Sequence, residues 1–506
     1  VGNLLKPVQV TVEHLYADLE HSLDALRANP SRVRASRKVV EAALEDGQAY
    51  YGINTGFGIL ATQRVEPTKL KRLQHNLLLS HAVGVGELVP KAISRLMLQL
   101  KIHALGLGYS GVSPETFQRL LRLAELDLIA AVPSKGSLGA SGDLAPLAHM
   151  SLPLIGRGAF WDESGERTLS ASDVLKQHDL EPLQLQPKDG LALINGTQLM
   201  AAYGAYVLEK SLQLVKLADV LAAMSLEALQ GSVKPFDARI HGVRPHPGQQ
   251  RVAHNVRSLL LDSEILESHR NCGKVQDPYS LRCVPQVHGA CRDGLDHARG
   301  VIEVELNAVT DNPLVFDNGD VISGGNFHGE PLALVLDFAA IALAELASIS
   351  ERRTYLLLKG HDGLPTLLME ETGLNSGFML PQYTAAALVS ENKVLAHPAS
   401  VDSIPSSLGQ EDHVSMGAIS ATKLFQVFQN VERVLAIELC TASQALDYRK
   451  PLRPGRGVEL AHDCVRSLIP HRERDAYFKD ELTRCTELVR NNHIVAAVER
   501  ELPPLR

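Results

Sequence analysis

Apolar residues recur every three or four positions at Leu424, Val427, Phe428, Val431, Val434 and Leu435, which lays one hydrophobic stripe along a helix and predicts a bundle helix there. A second helix is predicted from about Gln198 to Leu229, rich in Ala and Leu. A third, from about Leu332 to Arg353, is apolar nearly all round and is expected at the centre. Strand signals are few and short. Asn318-Gly319 sits between the apolar pairs of Leu314–Ile322, a strong short-range hairpin cue. A second pair is expected where Phe160-Trp161 and Thr168-Leu169 flank Ser164-Gly165. There is no internal repeat. The pattern predicts a mainly α fold: a long-helix bundle core, a smaller mixed N-terminal unit and few short strands. The polar, Pro- and Gln-containing stretch from Gly165 to Gly190 marks a boundary, giving an N-terminal unit over 1–190 and a bundle over 191–506. Within Lys450–Gly457 the prolines must end the bundle helix, so a C-terminal helical extension is expected from about 450.

Composition narrows the partners. The chain has 506 residues, with 50 Lys and Arg against 58 Asp and Glu, a formal charge of −8. No basic run exists to track a phosphate backbone, so nucleic acid is not an expected partner. The most apolar segment, Pro331 to Ala344, is interrupted by Asp337 and followed by Glu345, which suits a buried helix better than a membrane span. The stretch VGNLLKPVQVTVEHL does not read as a secretory signal. Six cysteines without a CxxC pair fit a reduced cytoplasm.

Three weak motifs fall away. Gly106-Leu-Gly-Tyr-Ser-Gly111 matches GxGxxG, but a helical pattern over Leu98–Leu105 precedes it where a dinucleotide fold needs a strand, so a helix end and turn are expected. Gly-Ala-Ser-Gly-Asp around Ser141 lacks the second glycine of a nucleophile elbow, and no lysine follows as a phosphate loop requires. His269, Cys272, Cys283 and His288 match no zinc spacing. Neither metal nor nucleotide is expected.

The stretch GSLGASGDLAP, Gly136 to Pro146, carries three glycines, two alanines and two serines, with Asp143 its lone carboxylate. Such a segment suits a reaction of the backbone itself. The Gly142 nitrogen can attack the Ala140 carbonyl carbon to close a five-membered ring, and dehydration at Ser141 leaves an exocyclic methylene. Glycine lacks the Cβ that would block close approach, alanine is small, and serine has a β-hydroxyl to lose. The same residues also suit a tight turn before a helix capped near Asp143.

Ala140-Ser141-Gly142-Asp143 within GSLGASGDLAPLAHM closely resembles the self-cyclising segment of the aromatic amino acid ammonia-lyases. The resemblance extends over most of the chain, through Tyr51–Gly58 (YGINTGFG), Ser80–Gly86 (SHAVGVG), Asn195–Gln198 (NGTQ), Val275–Arg282 (VQDPYSLR), Gly324–His328 (GGNFH) and Gln410–Met416 (QEDHVSM). It implies a 4-methylidene-imidazol-5-one formed autocatalytically from Ala140-Ser141-Gly142, and a homotetramer whose sites combine residues of more than one subunit. The substrate amine would add to the methylidene carbon, splitting one hard elimination into easier steps. Tyr51 takes the role of β-proton acceptor. An unperturbed phenol, with a pKa of about 10, is only about 0.1% ionised near neutrality, so the site is expected to lower it by roughly three units, about 4 kcal/mol. Arg282 would hold the substrate carboxylate with its planar fork. Asn195, Gln276 and Tyr279 carry over as groups around the ring, carboxylate or amine, and Phe327 as a wall of the pocket.

Substrate choice turns on His81 and Glu411. Both can hydrogen-bond an imidazole, whereas a phenyl ring would leave them buried without partners at about 1–3 kcal/mol each. Histidine is therefore the expected substrate, with trans-urocanate and ammonia as products. A tyrosine ammonia-lyase or an aminomutase would share ring and base, with Glu411 as discriminator against tyrosine. A non-catalytic helical assembly protein would keep the bundle without ever cyclising.

Overall fold

A computed structural model describes residues 8–46, 48–56, 58, 62–270 and 273–506. Phe57 of the Tyr51 block and Cys272 of the rejected metal constellation lie outside them. The architecture is mainly α, as the periodicity predicts. The chain forms two compact units, each gathered from separated stretches. The first comprises Val1–Leu208, Ala298–Asp337 and Pro398–Thr422; the second comprises Glu209–His297, Phe338–His397 and Lys423–Arg506.

The three predicted long helices run over Gln198–Ala228, Glu330–Leu357 and Gly417–Asp447. In the last, Leu424, Val427, Phe428, Val431, Val434 and Leu435 are all buried, so the predicted stripe is the packed face. That helix stops at Asp447, ahead of Pro451 and Pro454, and Arg456–Arg466 begins the next. Glu330–Leu357 departs from an all-round burial. Leu332, Leu336, Leu343 and Leu346 are enclosed, but Leu334, Phe338 and Ile341, spaced along one side, are exposed. Among the described residues it is also the one helix long and apolar enough to cross a membrane, and 67% of its most apolar window is buried inside the protein.

The strands are three short antiparallel pairs. Leu314–Val315 pairs with Val321–Ile322, and Gly319 at the turn takes φ 93°, a conformation that favours glycine. Ala159–Trp161 pairs with Thr168–Ser170, where the second strand signal lies, with Phe160 opposite Leu169. The third pair, Val85–Leu88 with Pro133–Lys135, carries no sequence cue of its own. It matters for position, because Pro133–Lys135 runs directly into the glycine-rich segment, and the helix Leu144–Ser151 leads away from it. Gly106 ends the helix Lys91–Gly106 and Gly108 turns at φ 84°, so GxGxxG is a helix end as expected.

Candidate active site

The glycine-rich segment folds into a turn that closes on itself. The Gly142 amide donates to the Gly139 carbonyl at 3.2 Å, with Ala140 and Ser141 at the corner. Ser141 takes φ 50° and Gly142 φ 80°, both left-handed. Ser137 Oγ donates to the Gly142 carbonyl at 3.0 Å and accepts from the Gly139 amide at 3.2 Å. A Cβ on Gly142 would stand 2.1 Å from the Gly196 carbonyl oxygen; only glycine allows that approach. The strand-like contact with residue 196 is reciprocal, Asp143 N donating to Gly196 O at 2.7 Å and Gly196 N to Ser141 O at 3.3 Å.

Asp143 caps a helix, but not its own. Its carboxylate makes no cap bond to Leu144–Ser151. Instead Oδ2 accepts from the amides of Leu199 and Met200 at 2.9 and 3.2 Å, at the start of the long helix Gln198–Ala228. Unsatisfied donors at a helix N-terminus attract such a carboxylate. Burial nevertheless dominates and pushes Asp143 up to about 7.

Behind the turn lies a polar layer. Asn195, buried, donates through Nδ2 to the Asn312 carbonyl at 2.9 Å and to Asp311 at 3.3 Å, while its Oδ1 has no partner. Asp311 is also paired with the fully buried Lys188 at 2.7 Å. Lys101, on the helix Lys91–Gly106, donates to the Asn195 carbonyl at 2.5 Å.

In front of the turn are two cavities of the first unit. One, of about 430 Å³, is lined by Tyr51, Ala140, Ser141, Phe327, His328, Glu411 and His413 among others. The second, of about 390 Å³, shares Tyr51, Ser141 and Glu411 with it and adds Ser80 and His81. Ser141 therefore opens onto both. Glu411 is positioned by a tight loop: Ser406 and Glu411 pair as an antiparallel bridge, and Ser406 Oγ donates to Glu411 Oε2 at 2.6 Å. His81 ends the helix Leu70–His81 and its Nδ1 lies 3.0 Å from Ser80 Oγ. Burial holds His81 below the usual imidazole range, opposed by the Leu77 carbonyl and the Glu411 charge, so the neutral ring is favoured at neutral pH.

Tyr51 departs from expectation. Its hydroxyl accepts the Gly58 amide at 3.1 Å, which favours phenolate, but burial is the larger effect and the Glu411 charge adds to it, so the phenol is pushed up, not down. Among the described residues, those that line its two cavities include no lysine or arginine.

Gln276, Tyr279 and Arg282 are not on either cavity. Gln276 and Arg282 line another, of about 350 Å³, made of residues of the second unit. Arg282 ends the short helix Tyr279–Arg282, with its guanidinium carbon 4.5 Å from the centre of the Tyr279 ring, and its Nε is buried without a partner. Tyr279 is 70% exposed and Val275 94%. Thus the structure brings Tyr51, His81, Ala140, Ser141, Phe327 and Glu411 together, with Gly142 and Asn195 directly behind, and gathers Gln276, Tyr279 and Arg282 separately.

Residues that sequence reasoning passed over are Lys101, Lys188, Asp311, His328 and His413. Lys101 did carry a signal: a cation flanked directly by Leu100 and Ile102 in the more apolar half of its helix. The two histidines sit inside the GGNFH and QEDHVSM blocks, with stacked rings 6.0 Å apart.

Comparison with known proteins identifies the family. The family model described as aromatic amino acid lyase matches residues 10–467. Histidine ammonia-lyase of Myxococcus xanthus is 50% identical over 501 residues, covering 98% of this chain and 97% of its own. That of Anaeromyxobacter dehalogenans is 53% identical over 467 residues, with 90% and 92% covered. Among solved structures, histidine ammonia-lyase from Trypanosoma cruzi superposes with a TM-score of 0.89 at 41% identity, over 99% of this chain and 95% of that one. A tyrosine aminomutase from Streptomyces globisporus gives 0.91 at 35%, over 98% of each.

Proposed function

Because the chain belongs to the aromatic amino acid lyase family, we propose that it eliminates ammonia from L-histidine to give trans-urocanate, using an electrophile made from Ala140-Ser141-Gly142. The observation that carries the substrate assignment is that Glu411 and His81 share a cavity with Tyr51 and Ser141. A carboxylate that only accepts and a neutral imidazole with one donor and one acceptor match the two ring nitrogens of histidine. A phenyl side chain would offer no hydrogen bond to Glu411 Oε1 or to His81 Nε2, the atoms that Ser406 and Ser80 do not engage.

The tripeptide fits a 4-methylidene-imidazol-5-one. It is already bent, Ser141 has the hydroxyl to lose, and residue 142 is pressed against Gly196 where no Cβ fits. When formed, that group supplies an electrophile for the substrate amine, which makes ammonia a better leaving group. Phe327 walls the same cavity, Tyr51 accepts the β-proton at its hydroxyl, and Glu411 and His81 orient the side chain. Asn195 offers its unpaired Oδ1 behind the turn.

Arg282, Tyr279 and Gln276 complete the site from another copy of the chain in a homotetramer. Two features support this. Among the described residues, the cavities at Ser141 are lined by no lysine or arginine that could hold the substrate carboxylate, while Arg282 lines a cavity beside exposed Tyr279 and Val275. Leu334, Phe338 and Ile341 also leave an apolar stripe uncovered in the single chain. A cytoplasmic setting accords with free thiols among the described cysteines.

The test is to mix the protein separately with L-histidine, L-tyrosine and L-phenylalanine and follow ultraviolet absorbance of the conjugated product. Histidine is turned over fastest; faster turnover of tyrosine overturns the assignment. A mass lower by two waters for the peptide that contains Ser141 is expected alongside it, and an unmodified peptide in active enzyme removes the electrophile.

A further inference from the structure

Lys101 is fully buried between Leu100 and Ile102, and the elimination itself gives it no task. Burying an ammonium is expensive unless it is well compensated. Burial pulls Lys101 down to about 7, with Asp311 acting the other way and Lys188 adding to the fall. Asp311 is largely committed elsewhere, to Lys188, to Asn195 Nδ2 and to the Asn312 amide at 2.7 Å. The hydrogen bond that Lys101 makes is the one to the Asn195 carbonyl. That carbonyl and the N–H of Gly196 belong to a single rigid peptide plane. The N–H points at the Ser141 carbonyl oxygen, 3.3 Å away.

We propose that Lys101 is a positioning residue for self-cyclisation: by holding the Asn195 carbonyl it fixes and polarises the Gly196 N–H, which stabilises negative charge on the Ser141 carbonyl oxygen while the tripeptide condenses. The inference rests on the reading above that Ala140-Ser141-Gly142 closes into a ring. In that condensation the Gly142 nitrogen bonds to the Ala140 carbonyl carbon, and the Gly142 amide proton passes to the Ala140 oxygen. The resulting hydroxyl leaves with the Ser141 amide proton as the first water, which creates a carbon–nitrogen double bond. The second water is made of the Ser141 Cα proton and the Ser141 β-hydroxyl, and a Cα–Cβ double bond remains. As the Cα proton departs, its electron pair spreads onto the Ser141 carbonyl oxygen, where the Gly196 N–H is aimed. A hydrogen-bond chain headed by an amine donor polarises every link after it, most strongly while that donor is protonated. The 3.3 Å contact is long for N–H···O, which leaves it room to tighten as charge builds.

The experiment compares wild type, Lys101→Met and Lys101→Gln by the mass of the Ser141 peptide and by the ultraviolet difference spectrum against Ser141→Ala, with melting temperature reporting the fold. Wild type should lack two waters. Folded Lys101→Met should hold at least about tenfold fewer cyclised chains at a fixed time after synthesis, as expected for loss of one charge-assisted hydrogen bond. Lys101→Gln, which keeps a donor without the charge, should fall between. A Lys101→Met protein cyclised as completely and as fast as wild type, with the same difference spectrum, overturns the inference. An uncyclised wild type overturns instead the function reading it rests on. If Lys101→Met does not fold, Lys101→Gln decides by the same measurements: slowed cyclisation in a folded chain supports the proposal, and wild-type pace sinks it.

Discussion

Arg353 and Glu438, in the second unit, are both fully buried and meet as a two-pronged pair, Nε to Oε1 at 2.5 Å and Nη2 to Oε2 at 2.8 Å. Ser225 and Ser350 hydroxyls donate to the same two oxygens. His288 lies 2.9 Å from Asp219 and 3.3 Å from Arg353, and Arg292 and Asn255 share the other Asp219 oxygen. Burial pushes Asp219 up, yet Arg292 and His288 outweigh it and hold the carboxylate below its usual range. Around Ser141 the first unit buries charge differently. Asp143 Oδ1, Asn195 Oδ1 and Gln198 Oε1 are enclosed with no partner, and burial moves Asp143 and Lys101 toward neutrality from opposite sides. A network whose carboxylate oxygens are all engaged fixes one arrangement. One with acceptors to spare, and protons near balance, keeps the means to bind and to react.

Substitutions separate the two styles. Ser141→Ala should cost about 10³-fold or more in turnover, as for loss of other covalent groups, while the melting temperature stays near wild type; near-native turnover removes Ser141 from the mechanism. Tyr51→Phe should lower turnover by about 10²–10⁴-fold, the range of a general base, and leave the Ser141 peptide two waters light. Arg353→Met reverses the pattern. It leaves Glu438 buried without its counter-charge and should cost about 3–5 kcal/mol in stability, read by urea unfolding, and a stability close to wild type would show that the closed network is not structural. Glu411→Gln should reduce the preference for histidine over tyrosine by about tenfold, the value of one buried hydrogen bond to a charged group, measured as a ratio of kcat/KM. The smallest effect concerns pH. Folded Asp143 keeps its proton up to about 7, whereas an unfolded aspartate releases it near 4. The folded chain binds more protons in that window, so this group makes stability fall as pH rises through it. Asp143→Asn should flatten that part of the slope in thermal melts; an unaltered slope contradicts the assignment.

Much of this was readable along the chain. Helix period located the stripe from Leu424 to Leu435, and Asn318-Gly319 located a hairpin, because each signal is local. Tyr51, His81, Ser141, Phe327 and Glu411 could be named from their blocks, and they do share cavities. Other features were out of reach because they depend on partners distant in sequence. Asp143 reads as a cap for the helix that follows it, and instead serves one that starts more than fifty residues later. The pair Val85–Leu88 with Pro133–Lys135 is too short and too poor in alternation to stand out. The direction of the Tyr51 shift depends on burial and on Glu411, both products of the tertiary fold.

That distant cap ties the seat of the proposed electrophile to a segment more than fifty residues away. Asp143 adjoins Gly142, and its carboxylate is seated only where the amides of Leu199 and Met200 present themselves. A chain in which that terminus has not docked keeps only the local bonds of Ser137 and Gly139 to bend the tripeptide, without the anchor at Asp143. On the proposed cyclisation, folding and activation would then be coupled, the electrophile arising chiefly on chains whose two distant segments have already met.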